Sequence, residues 1–230
     1  MSIALPGSAA PSAVAETNMS MSTTRALLTG GVIAGPLFVV VSLAQTFTRE
    51  GFDITRHAWS LLSNGDLGWI QISNFLVTGL LTVAGALGMR RTLRGSRGGA
   101  WGPLLLGIYG VSLIGAGAFT ADPMDGFPAG TPPGPPAAIS WHGLAHFAAG
   151  GIGFLALIVA CFVFARRFAA LKQGGWAVYS LVTGVVFFAA FFGIASGSSS
   201  PPIVLSFVAA VLLAWSWITA LSVKLRSETR

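Results

Sequence analysis

Charged residues are scarce in this chain of 230 residues: Asp, Glu, Lys and Arg together make up 9% of it. Soluble domains carry about 25% charged residues, so the shortage excludes an ordinary soluble fold. The single cysteine, Cys161, excludes an intrachain disulfide and a cysteine-based metal site. Instead the chain is 53% hydrophobic, with a mean hydropathy of +0.76. This composition indicates an integral membrane protein.

Six apolar stretches are long enough to cross a bilayer, which takes about 20 residues for each helix. They are residues 26–48, 69–89, 101–121, 141–165, 176–196 and 202–223. The sequence therefore predicts an all-α membrane protein, a six-transmembrane-helix bundle over residues 25–223. We predict a disordered tail over residues 1–24, which is rich in Ala, Ser and Thr without periodicity, and a short C-terminal tail over 224–230. Because Met19 and Met21 directly precede the first apolar stretch, we expect one of them to be the true start.

The basic residues are distributed unevenly between the two sides of these stretches. Eleven of the 13 Lys and Arg residues fall on one side, and only Arg49 and Arg56 fall on the other. By the positive-inside rule, both termini are predicted to be cytoplasmic in a multi-pass plasma-membrane protein. The positive charge then indicates contact with membrane lipids and not a nucleic-acid groove, so we expect no nucleic-acid partner. No feature of the sequence indicates an oligomeric state.

All three histidines and five of the seven carboxylates fall in the outer segments. They are His57, His142, His146, Glu50, Asp53, Asp66, Asp122 and Asp125. Ionisable groups at a membrane boundary are costly unless they are paired, so this cluster is a candidate functional site.

His142 and His146 are spaced i, i+4 near the start of the fourth stretch, so both imidazoles project from one helical face. This spacing suits two ligands of zinc or another divalent transition metal. The residues that could supply a third ligand are His57, Asp122 and Asp125. Gly143 replaces the glutamate of the metalloprotease motif, which argues against that class. Haem between two histidines is a further alternative.

A polar pocket is predicted where the outer ends of the helices meet. Asn74 and His146 each lie five residues below a tryptophan, Trp69 and Trp141 respectively, so they lie at one depth. The pocket would be formed by His57, Ser60, Asn74, Asp122, His142 and His146, with Gln71 and Asp125 as further ligand-binding residues. Each also has a structural interpretation: an interfacial position for His142, a partnered role for His146 and a hydrogen-bonding role for Asp122 and Ser60.

The two longer outer loops differ in composition. Residues 49–68 predict an amphipathic helix in the interface, capped by Asp53 and ended by Asn64 and Gly65. Residues 122–140 are rich in Pro and Gly, which predicts a segment ordered only by docking over the helix ends.

The apolar stretches also limit the function. The third, fifth and sixth contain no Asp, Glu, Lys, Arg or His, which weighs against an ion-coupled transporter. The pattern Gly31-x-x-x-Gly35 favours close packing of the first helix against a neighbour.

Several motifs resemble a bacterial membrane family known as domain of unknown function 998. The motifs are residues 60–65 (SLLSNG), 74–79 (NFLVTG), 122–132 (DPMDGFPAGTP), 140–146 (SWHGLAH) and 165–168 (ARRF). The likeness covers about residues 25–223. It implies a six-helix membrane protein, and it assigns no activity and no catalytic residue.

Three functions stay open at this point. The first is binding of a small molecule or lipid headgroup by the outer pocket. The second is a metal-dependent hydrolase of lipid-like substrates, in which Asp122 and Ser60 are catalytic and His57, His142 and His146 bind the metal. A weaker similarity to transmembrane hydrolases related to alkaline ceramidases motivates it, although their His pair lies in the last span and here it lies in the fourth. The third is a structural or assembly protein.

Overall fold

The computed structural model describes residues 11–229, with side chains from Met19 onward. Within this range the chain forms six α-helices, one short 3₁₀ helix and no strand. The elements are α1 (Pro11–Thr48), the 3₁₀ helix (Trp59–Ser63), α2 (Gly68–Thr92), α3 (Trp101–Ala118), α4 (Trp141–Ala170), α5 (Gly174–Ala195) and α6 (Pro201–Glu228). All six α-helices are long and apolar enough to cross a membrane, which confirms the predicted fold class.

Helices extend into both predicted tails. Residues 11–24, for which the sequence predicted disorder, belong to α1, whereas residues 1–10 of that prediction lie outside the described residues. At the other end α6 continues through Lys224 to Glu228. An ion pair of 2.7 Å between Lys224 and Glu228, one turn apart, supports this extension.

The helices pack as a closed ring in chain order. Each one contacts the next, and α6 returns to pack against α1. Aromatic side chains fill the centre: the Trp215 ring lies 5.1 Å from the Phe38 ring and 5.7 Å from the Tyr109 ring. Phe38 also contacts Phe75, at 5.7 Å between ring centroids. The aromatic centre therefore joins α1, α2, α3 and α6.

Glycines bring α1 close to both of its neighbours. A Cβ atom built on Gly85 of α2 would lie 2.8 Å from the Cα atom of Gly31. A Cβ atom on Gly35 would lie 2.9 Å from the carbonyl oxygen of Trp215 on α6. The packing predicted from the Gly31-x-x-x-Gly35 pattern is confirmed, since Gly31 and Gly35 contact two different helices.

The first outer loop contains no amphipathic interfacial helix, contrary to the prediction. Its regular part is the 3₁₀ helix Trp59–Ser63, which packs against α1 and α2. Trp59 and Leu62 are buried, and the Trp59 indole N–H donates to the Thr46 hydroxyl at 3.0 Å. Buried residues on both sides of such a short helix place it within the protein instead of at the lipid surface.

The second outer loop, residues 119–140, docks on the first one. Its Phe127 side chain is buried and packs against the ring of Phe52 at 5.2 Å. The guanidinium of Arg49 lies 5.3 Å above the same Phe127 ring. Within the loop, the Asp125 N–H donates to the Gly134 carbonyl at 2.9 Å. The proline-rich segment thus gains its order both from docking and from hydrogen bonds within the loop, whereas the sequence predicted docking alone.

Candidate functional site

Both ring nitrogens of His57 form hydrogen bonds, Nδ1 within the first outer loop and Nε2 to the second. The Asp53 N–H donates to His57 Nδ1 at 2.9 Å. Because Nδ1 accepts, Nε2 carries the proton and donates to the Asp125 carbonyl, at 3.1 Å. The ring is buried between Phe52 and Phe127, at centroid distances of 5.3 Å and 5.6 Å. His57 therefore has a structural role in this arrangement, and neither nitrogen is free for a metal.

Asp125 contributes its backbone to this junction. Its carbonyl also accepts from Arg56 Nη2 at 3.3 Å. The carboxylate atom Oδ2 is buried without a hydrogen-bond partner among the described residues. Asp125 therefore stays a candidate ligand-binding residue, but its carboxylate contacts neither of the other two histidines.

His142 and His146 bind the C-terminal end of α3. His142 Nδ1 lies 3.0 Å from the Thr120 carbonyl. His146 Nδ1 lies 2.8 Å from the Phe119 carbonyl and 3.1 Å from the Ala116 carbonyl. A carbonyl can only accept, so each Nδ1 donates its proton. The last carbonyls of a helix have no partner within the helix, and His146 supplies a donor for two of them, on Ala116 and the C-cap Phe119. His142 donates to the carbonyl of Thr120, just beyond the helix.

Asp122 lies at the N-terminus of α4, beside both histidines. Its Oδ2 atom accepts from the Ser140 N–H at 2.9 Å. Burial would raise the pKa of Asp122, but the hydrogen bonds from Ser140 and the nearby His142 and His146 outweigh it, so the pKa lies below its usual value. The Ser140 hydroxyl caps α4 by accepting from the Gly143 N–H at 3.0 Å. The carboxylate thus faces the positive end of the α4 dipole, where an anion is favoured.

Gly143 leaves the space that the Asp122 carboxylate occupies. A Cβ atom at Gly143 would lie 2.1 Å from Asp122 Oδ2. Glycine at position 143, which argued against a metalloprotease, is thus explained by packing. Only a residue without a side chain lets the Asp122 carboxylate reach the first turn of α4.

Gln71 and Asn74 belong to a separate polar network between α1 and α2. Gln71 Oε1 accepts from Gln45 Nε2 at 2.8 Å and from Asn74 Nδ2 at 3.3 Å. Asn74 Nδ2 also donates to the Phe38 carbonyl at 3.2 Å and to the Ser42 hydroxyl at 3.3 Å. Asn74 therefore faces α1, and no hydrogen bond joins it to His146.

Gln45 and Ser42 are members of this network that the predicted pocket omitted. The signal in the sequence is two i, i+3 polar pairs within apolar helices, Ser42 with Gln45 and Gln71 with Asn74. Two such pairs at the same end of consecutive spans predict a polar contact between the spans, since unpaired amides are costly in a membrane.

The predicted metal set of His57, His142 and His146 is not brought together. No group of three His, Cys, Asp or Glu side chains could hold a metal ion in the part of the chain that the structure describes. Ser60, the other predicted catalytic residue, lies on the 3₁₀ helix, and its hydroxyl makes no hydrogen bond to a histidine or carboxylate there. Of the residues of the hydrolase hypothesis, Asp122, His142 and His146 lie near one another, whereas His57 and Ser60 lie in the first outer loop.

The Nε2 atoms of His142 and His146 are the ring nitrogens that can still bind a ligand. With Nδ1 protonated, the neutral ring presents Nε2 as an acceptor. Neither Nε2 has a partner within residues 11–229, and neither is sealed from solvent. His146 lies between the rings of Phe75 and Phe147, at 6.4 Å and 6.1 Å. Two acceptors beside a carboxylate and aromatic edges suit an amphiphilic ligand that carries hydrogen-bond donors.

The family relationship agrees with this architecture and leaves the chemistry open. The chain belongs to the family described as protein of unknown function (DUF998), whose model matches residues 32–224. No curated protein and no solved structure matches it. All the motifs that carried the resemblance lie within the matched range.

Proposed function

We propose that this multi-pass membrane protein binds a small molecule or lipid headgroup at the end of the bundle that carries the histidines. His142 and His146 accept hydrogen bonds from the ligand through Nε2, and Asp122 attracts a cationic donor group. By the distribution of basic residues, this end is extracytoplasmic in the plasma membrane.

The observation that carries the proposal is the orientation of the two imidazoles. Each Nδ1–H is held by a backbone carbonyl at 2.8–3.1 Å, so each Nε2 lone pair is fixed in place without an internal partner. A histidine held in this way is prepared to accept a hydrogen bond at its second nitrogen. An ethanolamine headgroup offers ammonium N–H donors, whereas a choline headgroup has none.

The experiment compares the protein in nanodiscs of pure phosphatidylcholine with nanodiscs that contain phosphatidylethanolamine. Nitrogen NMR of ¹⁵N-labelled histidine reports the hydrogen bonding of each Nε2 atom. We expect the Nε2 signals of His142 and His146 to shift when phosphatidylethanolamine is present. His57 is an internal control, since both of its nitrogens are already bonded within the chain.

A second arm adds soluble ethanolamine to the phosphatidylcholine nanodiscs, which separates a lipid headgroup from a free small molecule. If the His142 and His146 signals stay unchanged under both conditions, the proposed binding of a donor ligand is wrong. Equal shifts at all three histidines would also contradict it, because they would report a general change of environment.

A further inference from the structure

A groove runs along the outward face of α3, between α2 and α4. It encloses about 500 Å³ and is lined almost entirely by apolar atoms, including those of Ala86, Leu87, Gly107, Val111, Ala149 and Ile152. We propose that this groove binds one anionic diacyl phospholipid. One acyl chain lies along α3, and the phosphate lies against Arg90, Arg91 and Arg94. This site is at the opposite end of the bundle from the histidines and is independent of the proposed function.

The length of the groove matches one leaflet of a bilayer. On α3 its lining extends from Pro103 to Gly115, which corresponds to about 18 Å at the helical rise. Half of a hydrocarbon core is about 15 Å thick. A single acyl chain of one leaflet therefore fills it from the basic end to the middle of the membrane.

The floor of the groove is open because α3 carries glycine there. A Cβ atom on Gly107 would have only the Ala86 Cβ atom near it, at 3.8 Å. A larger side chain at position 107 would consequently project into the space that the acyl chain needs.

The basic end of the groove opens into a second cavity of about 330 Å³, and the two share Leu87 and Arg90. Arg90, Arg91 and Arg94 line this cavity and are exposed. None of the three forms an ion pair, because the one ion pair among the described side chains joins Lys224 and Glu228. A bound anion would therefore interact favourably with three guanidinium groups that have no ion-pair partner.

The start of α3 adds to the positive potential of that cavity. Arg90 Nη1 donates to the Ala100 carbonyl at 3.2 Å, which holds the guanidinium beside the first turn of α3. This turn has no side-chain cap and no acidic residue, so the positive end of its dipole is not neutralised. A charged cavity continuous with an apolar groove fits an amphiphile better than a free phosphate ion.

The test measures which lipid stays bound to the purified full-length protein. Native mass spectrometry in detergent is recorded after addition of phosphatidylglycerol or phosphatidylcholine at equal concentration. We expect one phosphatidylglycerol to be retained in preference to phosphatidylcholine. The variant Arg90→Gln/Arg94→Gln should weaken that retention by about 25-fold, at about fivefold for each arginine.

Two further variants distinguish specific binding in the groove from general electrostatic attraction of anionic lipid. Arg25→Gln/Arg166→Gln removes the same charge from exposed residues that line neither cavity, and it should retain phosphatidylglycerol as the wild type does. Gly107→Leu keeps every arginine and fills the groove, and it should lose the lipid. Equal losses in both double variants, full retention in Gly107→Leu, or equal retention of the two lipids would overturn the proposal.

Discussion

The Nε2 atom of His57 donates to the carbonyl oxygen of Asp125 across 68 positions of sequence, at 3.1 Å. This bond joins the first outer loop to the second, and the one from the Asp53 N–H to Nδ1 orients the ring within the first loop. His57 therefore holds the two outer loops together at this end of the bundle, and its ring is neutral in this arrangement.

His57→Ala is expected to destabilise the protein by about 2–4 kcal/mol. The substitution leaves the Asp53 N–H without a partner and removes one of the two hydrogen bonds to the Asp125 carbonyl. It also opens a cavity between Phe52 and Phe127. Unfolding in detergent micelles measures the effect. His142→Ala is the matched control, since it removes one bond from a half-buried ring and should cost about 1 kcal/mol. Equal losses for the two variants would contradict the role assigned to His57.

Acid should weaken the contact between Asp122 and α4. The pKa of Asp122 is lower in the folded protein than its ordinary value of about 3.9, so its carboxylate stabilises the fold above that pH. This contribution is lost as the pH falls below about 4 and through the lower folded pKa. Asp122→Asn should be less stable at neutral pH by about 1–2 kcal/mol and should lack this loss in acid. Melting temperatures between pH 3 and 7 test it, and parallel curves for variant and wild type would refute it.

Gly143→Ala should disturb the start of α4. Its new Cβ atom would collide with Asp122 Oδ2, and such overpacking costs about 1–3 kcal/mol. Gly151→Ala on the same helix is the control, because a Cβ atom there meets nothing within 4 Å. That change should leave stability the same or raise it by up to about 1 kcal/mol, as alanine favours helices. A loss from Gly151→Ala as large as that from Gly143→Ala would indicate a general cost of losing glycine.

Double-mutant cycles should separate the two polar networks. Gln45 and Gln71 share a hydrogen bond of 2.8 Å, so their alanine variants should show an interaction energy of about 0.5–2 kcal/mol. Asn74 and His146 share none, and their variants should be additive within about 0.5 kcal/mol. Chemical unfolding of the four proteins in each cycle provides the numbers. Additivity between Gln45 and Gln71, together with an interaction energy between Asn74 and His146, would instead support the single polar pocket that the sequence predicted.

The course of the helices could be predicted because hydropathy and length decide it. The start of α3 at Trp101 and the start of α4 at Trp141 coincide with the predicted boundaries, since polar loops meet apolar runs there. The composition of residues 1–24 was a weaker guide, because helix formation over residues 11–24 continues an adjacent stable helix.

The candidate site could be predicted only in part, because spacing gives depth but not direction. Asn74 and His146 lie at similar depth, yet the rotation of α2 turns Asn74 toward α1. His57 depends on a partner in a loop whose path no periodic pattern determines. Asp122, His142 and His146 do lie near one another, because Asp122 follows the end of one span and the pair begins the next.

The shortness of α3 has a consequence for the surrounding bilayer. Its 18 residues extend about 27 Å, whereas the 30 residues of the adjacent α4 extend about 45 Å. The hydrocarbon core of a bilayer, about 30 Å thick, is thicker than α3 is long, so the bilayer beside this helix must become thinner. The longer α4 must tilt or extend beyond the hydrocarbon core. One side of the bundle is therefore matched to a thinner membrane than the other. We expect the protein to accumulate where the thickness of the membrane changes, with its α3 side toward the thinner region.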